Sequence, residues 1–127
     1  MQSSIIVFIG AGLGGVLRHV LNVWITMLMG HGFPYGILTI NVIGSLAMGL
    51  VAGWFAFRSG AGLSELQLFL GTGLLGGFTT FSAFSLDTAL LIERGETGLA
   101  TAYVVGSVAL SVLGLFLGLW AMRAALA

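Results

Sequence analysis

The 127-residue sequence contains no cysteine and, among its four basic residues, no lysine; only 6% of it is charged, and proline occurs once. Without cysteine there are no disulfides, thiolate metal sites or nucleophilic thiols. A formal net charge of zero and the lack of a basic run argue against nucleic acid as a partner. The scarcity of charge excludes the most, because water-soluble domains carry about a quarter charged residues. In its place 58% of the residues are hydrophobic. Such a surface cannot be wetted, so the chain reads as an all-α integral membrane protein. At roughly 20 apolar residues per crossing of a ~30 Å hydrocarbon core, its length holds four spans and leaves no room for a separate catalytic domain.

Charged and turn residues fall almost only between apolar runs. These runs cover about residues 4–29, 37–57, 65–92 and 99–126 of a single transmembrane domain, 1–127. The first ends at Gly30-His31-Gly32-Phe33-Pro34, the second at Arg58-Ser59-Gly60-Ala61-Gly62, and the third at Glu93-Arg94-Gly95-Glu96. Only helices or closed barrels satisfy the backbone in lipid, and the runs do not alternate as barrel strands do, so four transmembrane helices are expected. The N-terminal Met-Gln-Ser-Ser lacks the positive region of a secretion signal and reads as the start of a retained first helix.

Arg58 and Arg123 fall on the side of the second loop and both termini, Arg94 on the other, a bias of one residue. That leaves two arrangements open: one orientation, or insertion both ways round, which makes an antiparallel dimer available. Trp24 and Tyr35 lie toward one interface, Trp54 and Trp120 toward the other, as an aromatic belt or simply as lipid-facing side chains. Glycine is abundant, with 21 residues against a usual share of ~7%. Each span holds a Gly-x-x-x-Gly pair, Gly10/Gly14, Gly49/Gly53, Gly73/Gly77 and Gly114/Gly118, the spacing that lets helix backbones approach closely in lipid. Four such helices make a thin bundle, so an aqueous path is expected along an interface between subunits of an oligomer.

A strongly polar group at mid-membrane costs about 2.5–3.5 kcal/mol on insertion scales, so each asks for a reason. Arg18 lies far from the end of its helix, and Asn22, four residues on, shares its face. The pair suggests a positive, water-filled vestibule, or else a structural clasp on backbone carbonyls. Asn41, Ser45, Gly49 and Gly53 form one row at i, i+4 spacing, and Asn41 offers uncharged donors either to an ion or to a neighbouring helix. Gly71-Thr72-Gly73-Leu74-Leu75-Gly76-Gly77-Phe78-Thr79-Thr80 is a poor helix interior at the middle of the third span. A break near residues 76–80 is expected there, lining a cavity and freeing carbonyls for a cation; a continuous helix with Ser/Thr back-bonding is the competing reading. Phe81 and Phe84 fit ordinary packing, or present positive ring edges to an anion. Tyr103, Ser107 and Ser111 make a hydroxyl stripe that hands on a small ion or merely satisfies helix carbonyls. Asp87 is the one carboxylate expected within a span, near its end.

Taken together, four spans in so short a chain, Gly14-Gly15-Val16-Leu17-Arg18, Thr39-Ile40-Asn41-Val42-Ile43-Gly44-Ser45 and Gly76-Gly77-Phe78-Thr79-Thr80-Phe81-Ser82-Ala83-Phe84 resemble the Fluc/CrcB family of fluoride channels along the whole chain. The resemblance implies a passive, fluoride-selective channel that exports cytoplasmic fluoride and confers resistance to it, in the plasma membrane (the inner membrane of a bacterium). It implies a dual-topology antiparallel homodimer with two pores, and no enzymatic activity. Asn41, Phe81, Phe84, Tyr103, Ser107, Ser111 and Thr80 would line the pore by similarity, with Arg18 and Asp87 as vestibule or structural residues. Backbone carbonyls of Gly76 and Thr79 from both subunits would hold a structural Na+ ion at the dimer interface. The chain departs from the family in carrying Asp87 where Glu is usual, Leu115 where a Thr often extends the hydroxyl track, and His19 where an aromatic residue is common.

Three rivals are weaker on the residues. A small four-helix proton-coupled multidrug exporter needs a central carboxylate on its first helix, which here carries Arg18 and no acid. A membrane enzyme wants paired acid and base groups, and only His19 and Asp87 are candidates, on different helices. A structural assembly subunit explains the glycine pairs but not the break and its Phe pair.

Overall fold

The fold is described from a computed structural model over residues 1–58, 60 and 62–127; Ser59 and Ala61 of the second predicted turn lie outside the described residues. Among the described residues there are four helical spans long and apolar enough to cross a membrane. In chain order these are α1 (Gln2–Met29), α2 (Tyr35–Ala56), a composite third span and, last, α6 (Thr97–Leu126). The third span runs α3 (Leu63–Gln67), a π-helical stretch (Leu68–Leu75), α4 (Gly76–Phe78) and, beyond a break, α5 (Phe81–Glu93). Spans of 22 to 31 residues measure roughly 33–46 Å at about 1.5 Å per residue, enough for the hydrocarbon core. Each begins two residues before its apolar run. Hydropathy marks the lipid-facing part, whereas winding starts in the interface, where first-turn N–H groups reach water. α1 stops at Gly30, whose φ of 85° favours glycine and whose N–H donates to the Thr26 carbonyl at 2.8 Å.

The spans pack as two parallel pairs. α1 lies along the first half of the third span, and α2 along α6. All four glycine pairs sit in these two seams. A Cβ on Gly14 would collide with the Leu74 carbonyl and stand 2.8 Å from the Phe78 nitrogen, and one on Gly77 would collide with the Ala11 carbonyl. The other seam sets Gly49 against the Leu115 carbonyl and Gly118 against that of Leu46. Backbone therefore meets backbone, the contact that small residues supply where lipid is as apolar as the protein. Little is left to bury: Ile40, Leu91 and Tyr103 are the large side chains fully out of reach of solvent, while Phe8, Leu28, Phe116 and Trp120 project outward, as lipid allows. At the second loop Arg58 stacks over the Trp54 ring at 5.5 Å, joining a cation to an interfacial aromatic.

Candidate ion pathway

The third span breaks at two threonines. Thr79 and Thr80 are extended, with ψ of 153° and 123°, between the helical ends of α4 and α5. β-branched residues favour this conformation. The paired glycines just before stay helical, because Gly77 is needed bare against Ala11. Each threonine satisfies one helix end: Thr79 Oγ1 donates to the Leu75 carbonyl at 2.9 Å, and Thr80 Oγ1 accepts from the Ala83 amide at 3.2 Å as the N-cap of α5.

Asn41 on α2 holds the break open. Its Oδ1 accepts from the Thr80 N–H at 2.9 Å and its Nδ2 donates to the Thr80 carbonyl at 3.1 Å, so the amide pairs with one extended residue as a neighbouring strand would. In an unbroken helix the Thr80 N–H would go to the Gly76 carbonyl. Here it goes to Asn41, and Gly76 is left without that donor. Gly44, three residues further along α2, admits the break: a Cβ there would strike the Thr79 methyl. Asn41 is thus an interhelical clasp and keeps one Nδ2 hydrogen unspent.

Around the break lies a groove of about 290 Å³ walled by Asn41, Ser45, Thr79, Thr80, Phe81, Phe84, Ser107 and Ser111, with Val108 and Val112. None of these is ionisable. The Phe81 and Phe84 rings stand 5.5 Å apart at 47°, and Phe81 is 78% exposed, projecting from the bundle at mid-span. Three hydroxyls elsewhere in the spans return to carbonyls of their own helix, from Ser85 to Phe81, from Thr88 to Phe84 and from Thr101 to Thr97. Ser107 differs: its Oγ is buried and has no partner among the described residues. A buried donor without an acceptor is costly in a protein interior, and here it borders the groove.

The expected hydroxyl stripe divides. Ser107 and Ser111 line the groove, but Tyr103 does not. Its ring is fully buried between Phe84 (5.2 Å) and Phe33 (5.6 Å, edge-on), and its hydroxyl donates to Asp87 Oδ2 at 3.1 Å. A carboxylate within a span needs a donor, and Tyr103 is the one that reaches it. Asp87 borders a second cavity of about 360 Å³, at the end of the bundle formed by the first and third loops, together with Asn22, Thr26, His31 and Arg94. Arg94 lies near the Gly32 carbonyl, 3.4 Å away. The expected pairing of Arg18 with Asn22 in one vestibule is only half present: Asn22 lines this cavity, packed on Gly36, while the half-buried Arg18 lines neither cavity. Gly76 is exposed and outside the groove lining, next to the break. Ser45 was marked in the sequence by its place one turn from Asn41 and at the end of the segment 39–45, whereas nothing in the sequence marked Val108 and Val112.

Four apolar spans with a neutral, donor-lined groove at a mid-span break define a small multi-pass membrane protein. Residues 5–119 match the family described as CrcB-like protein, Camphor Resistance (CrcB), and the chain belongs to that family. It is 57% identical over 123 residues to the fluoride-specific ion channel FluC of Rhodopseudomonas palustris (strain BisB5), covering 97% of this chain and 98% of that protein. FluC 2 of Nitrobacter hamburgensis is 56% identical over 122 residues (96% and 98% covered), and FluC of Novosphingobium aromaticivorans 56% over 125 residues (97% and 98%). The four spans and membership in this bacterial family make the chain a multi-pass inner-membrane protein.

Proposed function

We propose that this chain is a passive, fluoride-selective channel that lets cytoplasmic fluoride leave down its electrical gradient, conferring resistance to the ion. The observation that carries this reading is the groove, which joins uncharged donors and aromatic rings at mid-membrane with no ionisable residue in its walls. Fluoride is small and strongly hydrated, so a path for it must replace water with donors. The spare Nδ2 hydrogen of Asn41 and the hydroxyls of Ser107, Ser111 and Thr80 are of that kind, and ring edges of Phe81 and Phe84 add positive potential without charge. A lysine or arginine ring would bind the anion too tightly to release it. The names of the relatives support the choice of ion.

The channel works as an antiparallel homodimer. Phe81, largely uncovered at mid-span in a single subunit, gains a covering wall from a second copy, and two-fold symmetry repeats each groove to give two pores. Tyr103, packed on Phe84 and bonded to Asp87, would carry the path from the groove toward the cavity that Asp87 borders; Arg18, one turn before Asn22 on α1, would add positive potential. The carbonyls of Gly76 and Thr79 fit a structural sodium ion at the dimer axis: they are hard, neutral oxygens, and the Gly76 oxygen has lost its Thr80 donor to Asn41. Bound there, sodium would supply charge that ties the two breaks together; it takes no part in conduction.

The test is purified protein in liposomes, with fluoride efflux followed by an ion-selective electrode. Rapid efflux that chloride cannot replace, lost in Phe81→Ile, is expected. Drug efflux that requires a proton gradient, with fluoride immobile, would establish an exporter instead.

A further inference from the structure

We infer that Ser45 carries the ion path beyond Ser111, supplying from α2 the hydroxyl that α6 lacks at Leu115. The inference rests on the fluoride reading above. Along α6 the polar row steps from Ser107 to Ser111, and the next position on that face, one turn on, is Leu115. Leu115 is not in the groove wall, whereas Ser45 is. The register of the α2/α6 seam gives their relative height. Gly114 stands against the Val42 carbonyl (3.4 Å) and the Leu46 nitrogen (3.6 Å), while Gly49 stands against the Leu115 carbonyl and, at 3.1 Å, Gly118. The two helices run parallel, and Ser45, between Val42 and Gly49, comes level with residues 114 and 115.

A turn of helix is about 5.4 Å. An ion leaving Ser111 in that direction would cross such a step against leucine and valine unless a donor stood on the facing helix. Ser45 is one turn from Asn41 on the same face and half-buried in the wall. On this register Asn41 comes level with Ser111 and Ser45 one turn beyond both, so the donors run from Ser107 on α6, through Ser111 and Asn41 at one height, to Ser45 on α2. At this height the hydroxyl is what matters, so a threonine at 45 should serve where an alanine does not.

The experiment compares initial fluoride efflux from liposomes for the full-length wild type, Ser45→Ala and Ser45→Thr. Ser45→Ala is expected to slow efflux roughly tenfold or more, the effect of losing one hydrogen bond to a charged group, and Ser45→Thr, which keeps the hydroxyl, is expected to stay near the wild-type rate. Unchanged efflux in Ser45→Ala overturns the inference, as does a Ser45→Thr variant slowed as much as Ser45→Ala, because packing and not the hydroxyl would then set the rate. If Ser45→Ala does not give folded protein, the near-isosteric pair Ser45→Thr and Ser45→Val replaces it: equal rates overturn the inference, and conduction by the Thr variant alone supports it. A wild type that moves no fluoride refutes the channel reading itself and is distinguished from these outcomes by the first arm.

Discussion

Removing the Asn41 side chain should weaken the break more than any other single truncation in the groove. Asn41→Ala deletes two hydrogen bonds, at 2.9 and 3.1 Å, and strips both the N–H and the carbonyl of Thr80 of their side-chain partner. Each bond is worth about 0.5–1.5 kcal/mol net, and the value between membrane helices averages ~0.6 kcal/mol. An amide left unpaired adds a desolvation cost, reduced here because Thr80 is only half-buried and borders the groove. The expected loss is about 1–3 kcal/mol. Reversible denaturant unfolding in detergent measures it, and hydrogen exchange at the Thr80 amide localises it, with protection falling by a comparable factor. Asn41→Asp separates the two halves of the clasp: an ionised carboxylate still accepts from Thr80 N–H but repels the Thr80 carbonyl and sets a negative charge in the groove. It should keep amide protection yet abolish fluoride efflux. Asn41→Ala with stability within about 0.5 kcal/mol of wild type, the range of inert surface changes, and an equally protected Thr80 amide would refute Asn41 as the clasp.

The seams make a paired prediction. Gly14→Ala forces a methyl into the Leu74 carbonyl and should cost about 1–3 kcal/mol or prevent folding, whereas Gly12→Ala, with open space around it, should be neutral or stabilising by about 0.5–1 kcal/mol; equal thermal midpoints would refute the seam. Exchange of sodium for a bulky organic cation should shift the detergent-solubilised protein from dimer toward monomer by light scattering, and an unchanged dimer in sodium-free buffer would remove the proposed ion. Gly32→Cys, in a chain with no native cysteine and with nothing packed against that position, should be labelled by impermeant reagents from both sides of the membrane; labelling from one side alone would reject dual orientation.

Much of the architecture was legible in the sequence because it is written in short-range terms. Charges and turns separate the four apolar runs, and the glycine pairs mark where backbones touch. The break was legible near residues 76–80 as a run of poor helix formers, and within that run the threonines unwind while the glycines stay helical. What escaped is long-range. Nothing near Asn41 in the chain points to Thr80, 39 residues away. The stripe through Tyr103 looked continuous because helical spacing fixes which face a residue occupies but not where a hydroxyl at the end of a long ring is directed. Tyr103 is drawn to Asp87, on another helix. The π stretch was marked only as the poor helix interior that begins at Gly71, with no local sign of wide turns; Gly10 and Gly14 pack against it between Phe69 and Leu74.

That stretch gives the third span slack. Each i→i+5 bond encloses one residue more than an ordinary helical bond, so Leu68–Leu75 holds surplus chain wound sideways rather than lengthwise. A residue lost there would tighten the coil toward an ordinary helix and slide Gly73 and Leu74 along Gly10 and Gly14 in the seam. The break has no such reserve: one residue fewer between Gly76 and Phe81 would swing the aromatic pair off the groove. The spare chain of the third span is therefore confined to the wide turns, where the contact with α1 holds it.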